Sequence, residues 1–598
     1  MGLTTARRTE SGVLEPRAKR PRYTRGLLWD NEDDVLSTTA QYSLTAAPVP
    51  RVPFAESSNP TVQKTITDHP HLFKVDCHIN VDRFQELLLH HPNQPFVQSV
   101  CHALRKGFWP WADTRIGFYP DTWDFSDRPT KSKEHLDFIS AQVETEVQLG
   151  RYSEAFGPDL LPGMYSSPVH AIDKPGTTTF RLINDQSAGE FSPNSMIASE
   201  DVAGTCMDGI KSLGASLRAF RKAEGDDVEL IMWKSDIEAA YRNLWLAKEW
   251  QIKQTVTVGS VRYVDHCNCF GNRASYKVFI SFTSLVAWIA EQVNRIPHIK
   301  AYSDDNASFD VVGDVLYYEP YHRYFPTKQT RLLCLWDELN IPHAEKKQIY
   351  GPRVPFVGFD VDPNAMTISI NDERRAKLFE QVATFAKPGK RHTLREFQSL
   401  AGYINWSLAV FPLLKPCLSA LYAKMSGKSL SSALIRVNNA ICEEFQWFLK
   451  HARLSNGIFL LSTVAWDPTT DLHNTSICYT DACMGGMAFW YPELRLGYQC
   501  RVPTTSIAPI FYWEAVAVAC AMMAPDSNSS PCLVVYTDNQ NTVDIWYSLK
   551  ASAPYNVTLI CTITSLIEYE TDAHILHVPS VDNVVADTLS HFNNTPTL

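Results

Sequence analysis

The chain has 598 residues, 45% of them hydrophobic and 20% charged, with a formal net charge of -10 and a pI near 6.0. Single hydrophobic cores stop growing at about 250–300 residues, so one domain is excluded and at least three are expected. No apolar run approaches the roughly 18 residues of a membrane span, and no apolar stretch follows the N-terminal arginines, so the expectation is a soluble protein that stays inside the cell.

The acidity is local. From Asn456 to the end there are 13 Asp or Glu against 3 Lys or Arg, so the preceding residues sum to zero. A polyanionic partner is therefore not excluded for the N-terminal three quarters, since phosphate contacts are made by Lys and Arg. The fourteen cysteines are scattered. The closest pair, Cys267 and Cys269, lacks zinc-site spacing and reads as buried free thiols.

In chain order, residues 1–61 are rich in Ser, Thr, Pro and charge and read as a disordered N-terminal arm. Residues 1–25 hold seven Arg or Lys and two Glu, including the import-like run RAKRPR. That arm either touches nucleic acid or is a solvated tail. Residues 62–129 carry helical periodicity in VDRFQELLLHH and PFVQSVCHALRKGFW and read as a helical extension. Across residues 130–370 helical and strand patterns interleave, with strands at VELIMWKSD, SVRYVDHCNCF, HIKAYS and VPFVGFDVD, an α+β unit. Residues 371–455 are nearly all helical, with LREFQSLAGYINWSLAVF at three- and four-residue spacing. Residues 456–598 form an independent mixed α/β unit of ordinary domain size.

Two sets of carboxylates carry chemistry. Asp304 and Asp305 stand at the tip of a hairpin in HIKAYSDDNASFDVV. Adjacent carboxylates repel unless a cation lies between them, so such a tip is a metal seat or, alternatively, merely a turn that favours Asp. Asp236 ends an apolar strand upstream and supplies a third acid. Three converging carboxylates suit two Mg²⁺ ions about 3.5–4 Å apart, one activating a 3′-hydroxyl and one stabilising pyrophosphate. In the C-terminal unit Asp481 ends a strand, Glu514 lies at the head of an apolar helix, Asp538 ends another strand and Asp587 lies in the last helix. Four acids at element ends in an apolar scaffold suit metal binding, because buried unpaired carboxylates are costly.

The order KSDIEAAY, CFGNRASYKVF, AYSDDNASF, HAEKKQ and VPFVGFDVD resembles the palm motifs of reverse transcriptases, over residues 130 to 450. With TLREFQSLAGYINW following, it is most similar to DIRS-type retrotransposon enzymes of fungi. The resemblance implies an α+β multidomain, right-hand polymerase of fingers, palm and thumb. It implies metal binding by Asp236, Asp304 and Asp305, and selection of deoxynucleotides by Tyr241, whose plain alternative is a core tyrosine. AIDKPGTTTFRLIND resembles the fingers hairpin and implies Lys174 and Arg181 on the incoming triphosphate, where Arg suits bidentate bonding. Gly271 matches a turn that lets backbone approach the nucleotide, with Cys269 where proline is usual. Lys346 resembles the lysine that protonates pyrophosphate, with Lys347 and a solvated charge as alternatives. Ser303 departs from an often apolar position.

Asp481, Glu514, Asp538 and Asp587 are similar in order and spacing to the four carboxylates of ribonuclease H, which hold two Mg²⁺ ions against the RNA strand. His577 reads as a half-buried strand histidine rather than a catalytic one. His392 and Arg395 have recombinase-like spacing without Arg and Tyr partners, and chance is the reading. No retroviral-type zinc module or Asp-(Ser/Thr)-Gly protease motif appears.

The implied activity is RNA-directed DNA synthesis with hydrolysis of RNA in hybrids, with Mg²⁺ or Mn²⁺ as cofactor. The implied partners are an RNA template, a DNA primer, RNA/DNA hybrid and deoxynucleoside triphosphates, with no membrane. An RNA-to-RNA polymerase is one rival, opposed by the ribonuclease H unit. A non-catalytic or host-retained nucleic-acid scaffold is the other, opposed by the presence of all seven carboxylates.

Overall fold

In the computed structural model, the described residues are 6–8, 14–16, 36–115, 118–127, 132–173, 179–455, 457–459, 475–503, 508–524, 532–569 and 571–593. The chain is a mixed α+β multidomain protein that divides into two compact units, Asn31–Val357 and Gly358–Leu598, the latter with Met1–Asp30. The division falls inside VPFVGFDVD, where Val357 and Gly358 take positive φ and break what the sequence pattern reads as one strand. It lies upstream of the 370/371 boundary expected from helical periodicity.

In the first unit the labelled helices are α1 (Thr38–Thr45), α2 (Val81–Leu87), α3 (Gln94–Lys106), α4 (Lys133–Gln148), α5 (Ile210–Glu224), α6 (Ser275–Trp288) and α7 (Thr327–Glu338). The strands are β1 (Val169–Asp173), β2 (Phe180–Asn184), β3 (Leu230–Asp236), β4 (Thr255–Val258), β5 (Val261–Val264), β6 (Lys300–Tyr302), β7 (Asp305–Val311) and β8 (Ile349–Gly351). An antiparallel sheet runs β6-β7-β3-β8, and β1 pairs with β2 as a separate hairpin.

One core joins the helices of residues 62–129 to the sheet: Phe84 of α2 meets Phe282 of α6 at 5.4 Å between ring centroids, and Phe96, Val100 and Leu104 of α3 are buried with Trp233 and Phe279. The helical extension is thus part of this unit's core. The disordered reading of residues 36–61 is corrected too. Ser37 caps α1 through a hydrogen bond to the Ala40 N–H, and Ser37, Thr39 and Ser43 are buried. Polar residues hold this segment, which is why its composition resembles a loose tail. In the arm, Ala6–Arg8 pairs antiparallel with Leu14–Pro16.

The second unit opens with a small sheet of Phe359–Asp362, Thr367–Ser369 and Gly457–Phe459. Its helices are α8 (Asp372–Phe385), α9 (Leu394–Ser407), α10 (Ser419–Met425) and α11 (Asn439–Ala452), interrupted by the strand pair Arg391–Thr393 and Leu434–Arg436. A capping box of Thr393 and Glu396 starts α9. His392 is buried and stacks on Phe385 at 4.0 Å, a packing role.

The tail forms β9 (Thr475–Ala482), β10 (Gly486–Tyr491), β11 (Leu496–Arg501), α12 (Ile510–Met523), β12 (Cys532–Thr537), α13 (Gln540–Ser548), α14 (Tyr555–Tyr569), β13 (Asp572–His577) and α15 (Val584–Ser590). Its sheet order is β11-β10-β9-β12-β13, with the first three strands antiparallel and β9, β12 and β13 parallel.

Candidate functional site

The first carboxylate cluster is set by register. Asp305 is the cross-strand partner of Asp236, and Tyr302 pairs with Asp305, so Ser303 and Asp304 form a two-residue turn. Ser303 alone of the two has positive φ, +56°, the sign pattern of a II′ turn, where glycine is preferred. The Asp304 carbonyl accepts the Ile237 N–H at 3.1 Å, fixing the turn beside the end of β3.

Two lysines face these acids. Lys234, two residues before Asp236 and so on the same strand face, meets Asp305 at 2.9 Å. Lys347 bonds Asp236. Burial, with the neighbouring carboxylates, pushes the carboxyls of Asp236 and Asp305 above their usual range against these lysines. Among the described residues, Asp236, Asp304 and Asp305 do not bring their oxygens into one tight group of the kind seen in the second unit; two of them are drawn to ammonium groups. The donor set suits hard divalent cations, which take carboxylate oxygens, with the lysines as the counter-charges now in place.

Beside this hairpin lies a cavity of about 470 Å³ lined by Arg181, Glu238, Arg242, Phe270, Asp304 and Lys347 among others. Arg181, exposed on β2, lies over the Phe270 ring at 4.7 Å. Lys174 lies outside the described residues. Tyr241 packs against Phe270 and Phe279, each at 5.1 Å. Burial raises its hydroxyl pKa, against a hydrogen bond with Ser303. It therefore touches both the core and the turn. Lys346 is exposed on a short 3-10 helix, whereas Lys347 is half-buried against Asp236.

At Gly271, φ +127°, a Cβ would lie 1.7 Å from the Asn184 carbonyl oxygen. Its neighbour Phe270 accepts the Asn184 N–H at 3.0 Å, so this glycine permits close approach to the end of β2.

Sequence reasoning missed the wall of this cavity. Arg242 is buried between Asp265, bonded by Nη1 at 2.8 and 3.0 Å, and Glu146 of α4, bonded by Nη2 at 2.8 Å. Burial raises Asp265 to about 6 despite Arg242. For Glu146 burial is outweighed by Arg242, leaving its pKa lowered. The positive φ values of Ala239 and Ala240 lie between Asp236 and this anchor, and the only sequence sign was an Arg after Tyr241.

The second cluster is tighter. Thr480 pairs with Thr537, so Asp481 and Asp538 emerge side by side at the carboxyl ends of parallel strands, where ligands gather in open sheets. Glu514 joins them from α12, and ligand oxygens of all three lie within 4.8 Å of one another. Burial and the neighbouring acids raise Asp481 to about 6 and Glu514 to about 8. Glu514 Oε2 is buried with no hydrogen-bond partner. An orphaned carboxylate oxygen between two acids is a site that a divalent cation fits.

Asp587 is exposed on α15 and outside that group, though its charge bears on Asp481. His577 ends β13 exposed rather than half-buried. The histidine near the acids is His591, 3.7 Å from Asp587, one helical turn on from it. Among the described residues, no helix is long and apolar enough to cross a membrane.

No family model matches the sequence, and no curated protein matches it. Three solved structures are similar in chain trace. A foamy viral protease-reverse transcriptase dRH in complex with double-stranded DNA has TM-score 0.41 and 12% identity, over 86% of this chain and 85% of that one. The foamy viral protease-reverse transcriptase in complex with double-stranded DNA has TM-score 0.40 and 14% identity, over 85% and 99%. The same protein in complex with RNA/DNA hybrid has TM-score 0.38 and 13% identity, over 88% of each chain.

Proposed function

We propose that the chain is an RNA-directed DNA polymerase with ribonuclease H activity, a right-hand polymerase followed by a ribonuclease H-like unit, which copies retroelement RNA into DNA. The observation that carries the reading is the register of Asp305 on Asp236 with Asp304 on the intervening turn. It sets three acids at one sheet end beside a cavity of nucleotide size. Divalent ions held by these carboxylates, Mg²⁺ or Mn²⁺, would supply activation of a 3′-hydroxyl and stabilisation of pyrophosphate.

Arg181, which lies over Phe270, takes the triphosphate by charge-assisted hydrogen bonds in this reading. Tyr241, held between Phe279 and the turn, is the surface against which a sugar 2′-hydroxyl is tested. Lys347, which bonds Asp236 and lines the cavity beside Asp304, would be released if cations took its place, and the pyrophosphate role passes to it from Lys346.

In the second unit Asp481, Glu514 and Asp538 would hold divalent cations, which would supply activation of water against the RNA strand of a hybrid, with Asp587 and its neighbour His591 at the margin. The proposed kinship with fungal DIRS-type enzymes rests on TLREFQSLAGYINW after the palm motifs and on VPFVGFDVD. The test is extension of a DNA primer on an RNA template with deoxynucleotides and Mg²⁺, following template cleavage in the same tubes. Both activities are expected. Neither, from a folded chain that binds the hybrid, would move the reading to a non-catalytic scaffold.

A further inference from the structure

The catalytic turn stands on the terminal strand of its sheet, and something other than a strand covers that edge. The outer face of β6 is bonded at Ala301, whose N–H reaches the Asp208 carboxylate at 2.9 Å. The Ala301 carbonyl accepts the Asp208 N–H at 3.2 Å and the Thr39 hydroxyl at 2.7 Å. Two residues on, the Ser303 N–H points at Met207 Sδ at 3.2 Å. Asp208 is itself clamped from the N-terminal segment: its carboxylate accepts the Ser37 hydroxyl at 2.6 Å and the Thr38 N–H at 2.9 Å. The flanking contacts repeat the pattern, with Lys300 Nζ on the Leu36 carbonyl at 3.1 Å and the Ser37 N–H on Glu291 at 3.2 Å.

We infer that Ser37, Thr39 and Asp208 form a strap that positions the polymerase turn, and that this is what residues 36–45 do. The inference rests on the polymerase reading. Unpaired edges of sheets are where strands fray or slip, and a non-glycine residue at positive φ is strained and persists only where its surroundings over-determine it. Ser303 meets both conditions. Its strand is terminal, and the strap bonds the residue two before it on both backbone groups. Asp208 cannot be replaced by its amide: every partner of its carboxylate is a donor, so an NH₂ group would face one.

A merely structural network would change melting and leave turnover per folded molecule alone. A positioning strap changes the maximal rate, because catalysis by aligned groups falls steeply when they shift by about 1 Å.

The experiment is single-turnover primer extension by the full chain, comparing wild type, Thr39→Val, Ser37→Ala with Thr39→Val, and Thr39→Ser, with hybrid affinity and melting read on the same samples. The expected result is a maximal rate down about tenfold or more in Thr39→Val, lower again in the double variant, with nucleotide half-saturation and hybrid affinity within about twofold. Thr39→Ser, which keeps the hydroxyl, should return to within about twofold of wild type. Maximal rates equal to wild type, whatever the melting temperatures, overturn the inference. So does a loss matched by hybrid affinity. A wild-type chain that binds hybrid and does not extend removes the polymerase reading itself.

Discussion

Replacing Arg242 by Met takes one cation from between two buried acids. Arg242 makes charge-assisted bonds to both oxygens of Asp265 and to Glu146, and the three side chains are 11%, 1% and 8% exposed. Breaking a buried pair from one side costs about 3–5 kcal/mol, because the partner is left charged and dry. Asp265 is stranded here, whereas Glu146 keeps Arg151 at 4.0 Å; both relieve the cost by taking up protons.

Asp265 titrates near 6 even with Arg242 present, so without it the carboxyl ionises at still higher pH. A group whose folded pKa lies above its unfolded value contributes stability at low pH and loses it as pH rises through the folded pKa. The defect of Arg242→Met should therefore be larger at pH 8 than at pH 5, shrinking by up to about 1.4 kcal/mol per pH unit for each acid. The assay is urea unfolding of the full chain at both pH values, with hydrogen-exchange protection of β3 and β5 amides isolating this unit's transition. A loss below about 1 kcal/mol at pH 8, the range of ordinary surface changes, or a loss equal at both pH values, would refute the reasoning.

Gly271→Ala should destabilise the first unit by at least about 2 kcal/mol, since positive φ strain and a 1.7 Å approach to the Asn184 oxygen act together; hydrogen exchange at β2 reads it, and wild-type protection would show that the approach relaxes freely. Glu444 is buried, accepts the Ala420 N–H at 2.9 Å and Asn556 Nδ2 at 2.7 Å, and is raised to about 7 by burial. Its contribution is present at low pH and lost as pH rises through about 7, so the stability of the second unit should fall as pH rises from about 4.5 to about 7, and Glu444→Gln should flatten the slope; an unchanged slope assigns it elsewhere. Lys347→Ala should cut the extension rate about tenfold or more and Lys346→Ala by less than about twofold; the reverse order would return the pyrophosphate role to Lys346.

The acids were legible because element ends mark themselves. An apolar strand stopping at Asp236 and strands ending near Asp481 and Asp538 are visible in one dimension; the hairpin is visible too, but its turn is Ser303-Asp304, with Asp305 and Asn306 already in β7. What was not legible depends on phase and on distant partners. Lys346 and Lys347 differ only by which way a short 3-10 helix turns. The ordering of residues 36–45 comes from Asp208 and Ala301, far along the chain and polar, so no apolar period announces it. Gly271 was visible as a glycine that a backbone approach requires, but the approaching chain is Asn184. His577 lies ten residues before Asp587 and His591 four residues after it, one helical turn, and it is His591 that α15 brings to 3.7 Å from Asp587.

The central claim is that two separate carboxylate sites do two reactions. Full-length wild type, Asp304→Asn with Asp305→Asn, and Asp481→Asn are compared on an RNA template with a DNA primer, deoxynucleotides and Mg²⁺, reading extension and template cleavage together. The account predicts that the first variant loses extension and keeps cleavage, and that the second keeps extension and loses cleavage. Extension surviving in the Asp304→Asn, Asp305→Asn variant, or both reactions lost together in either folded variant, would contradict it.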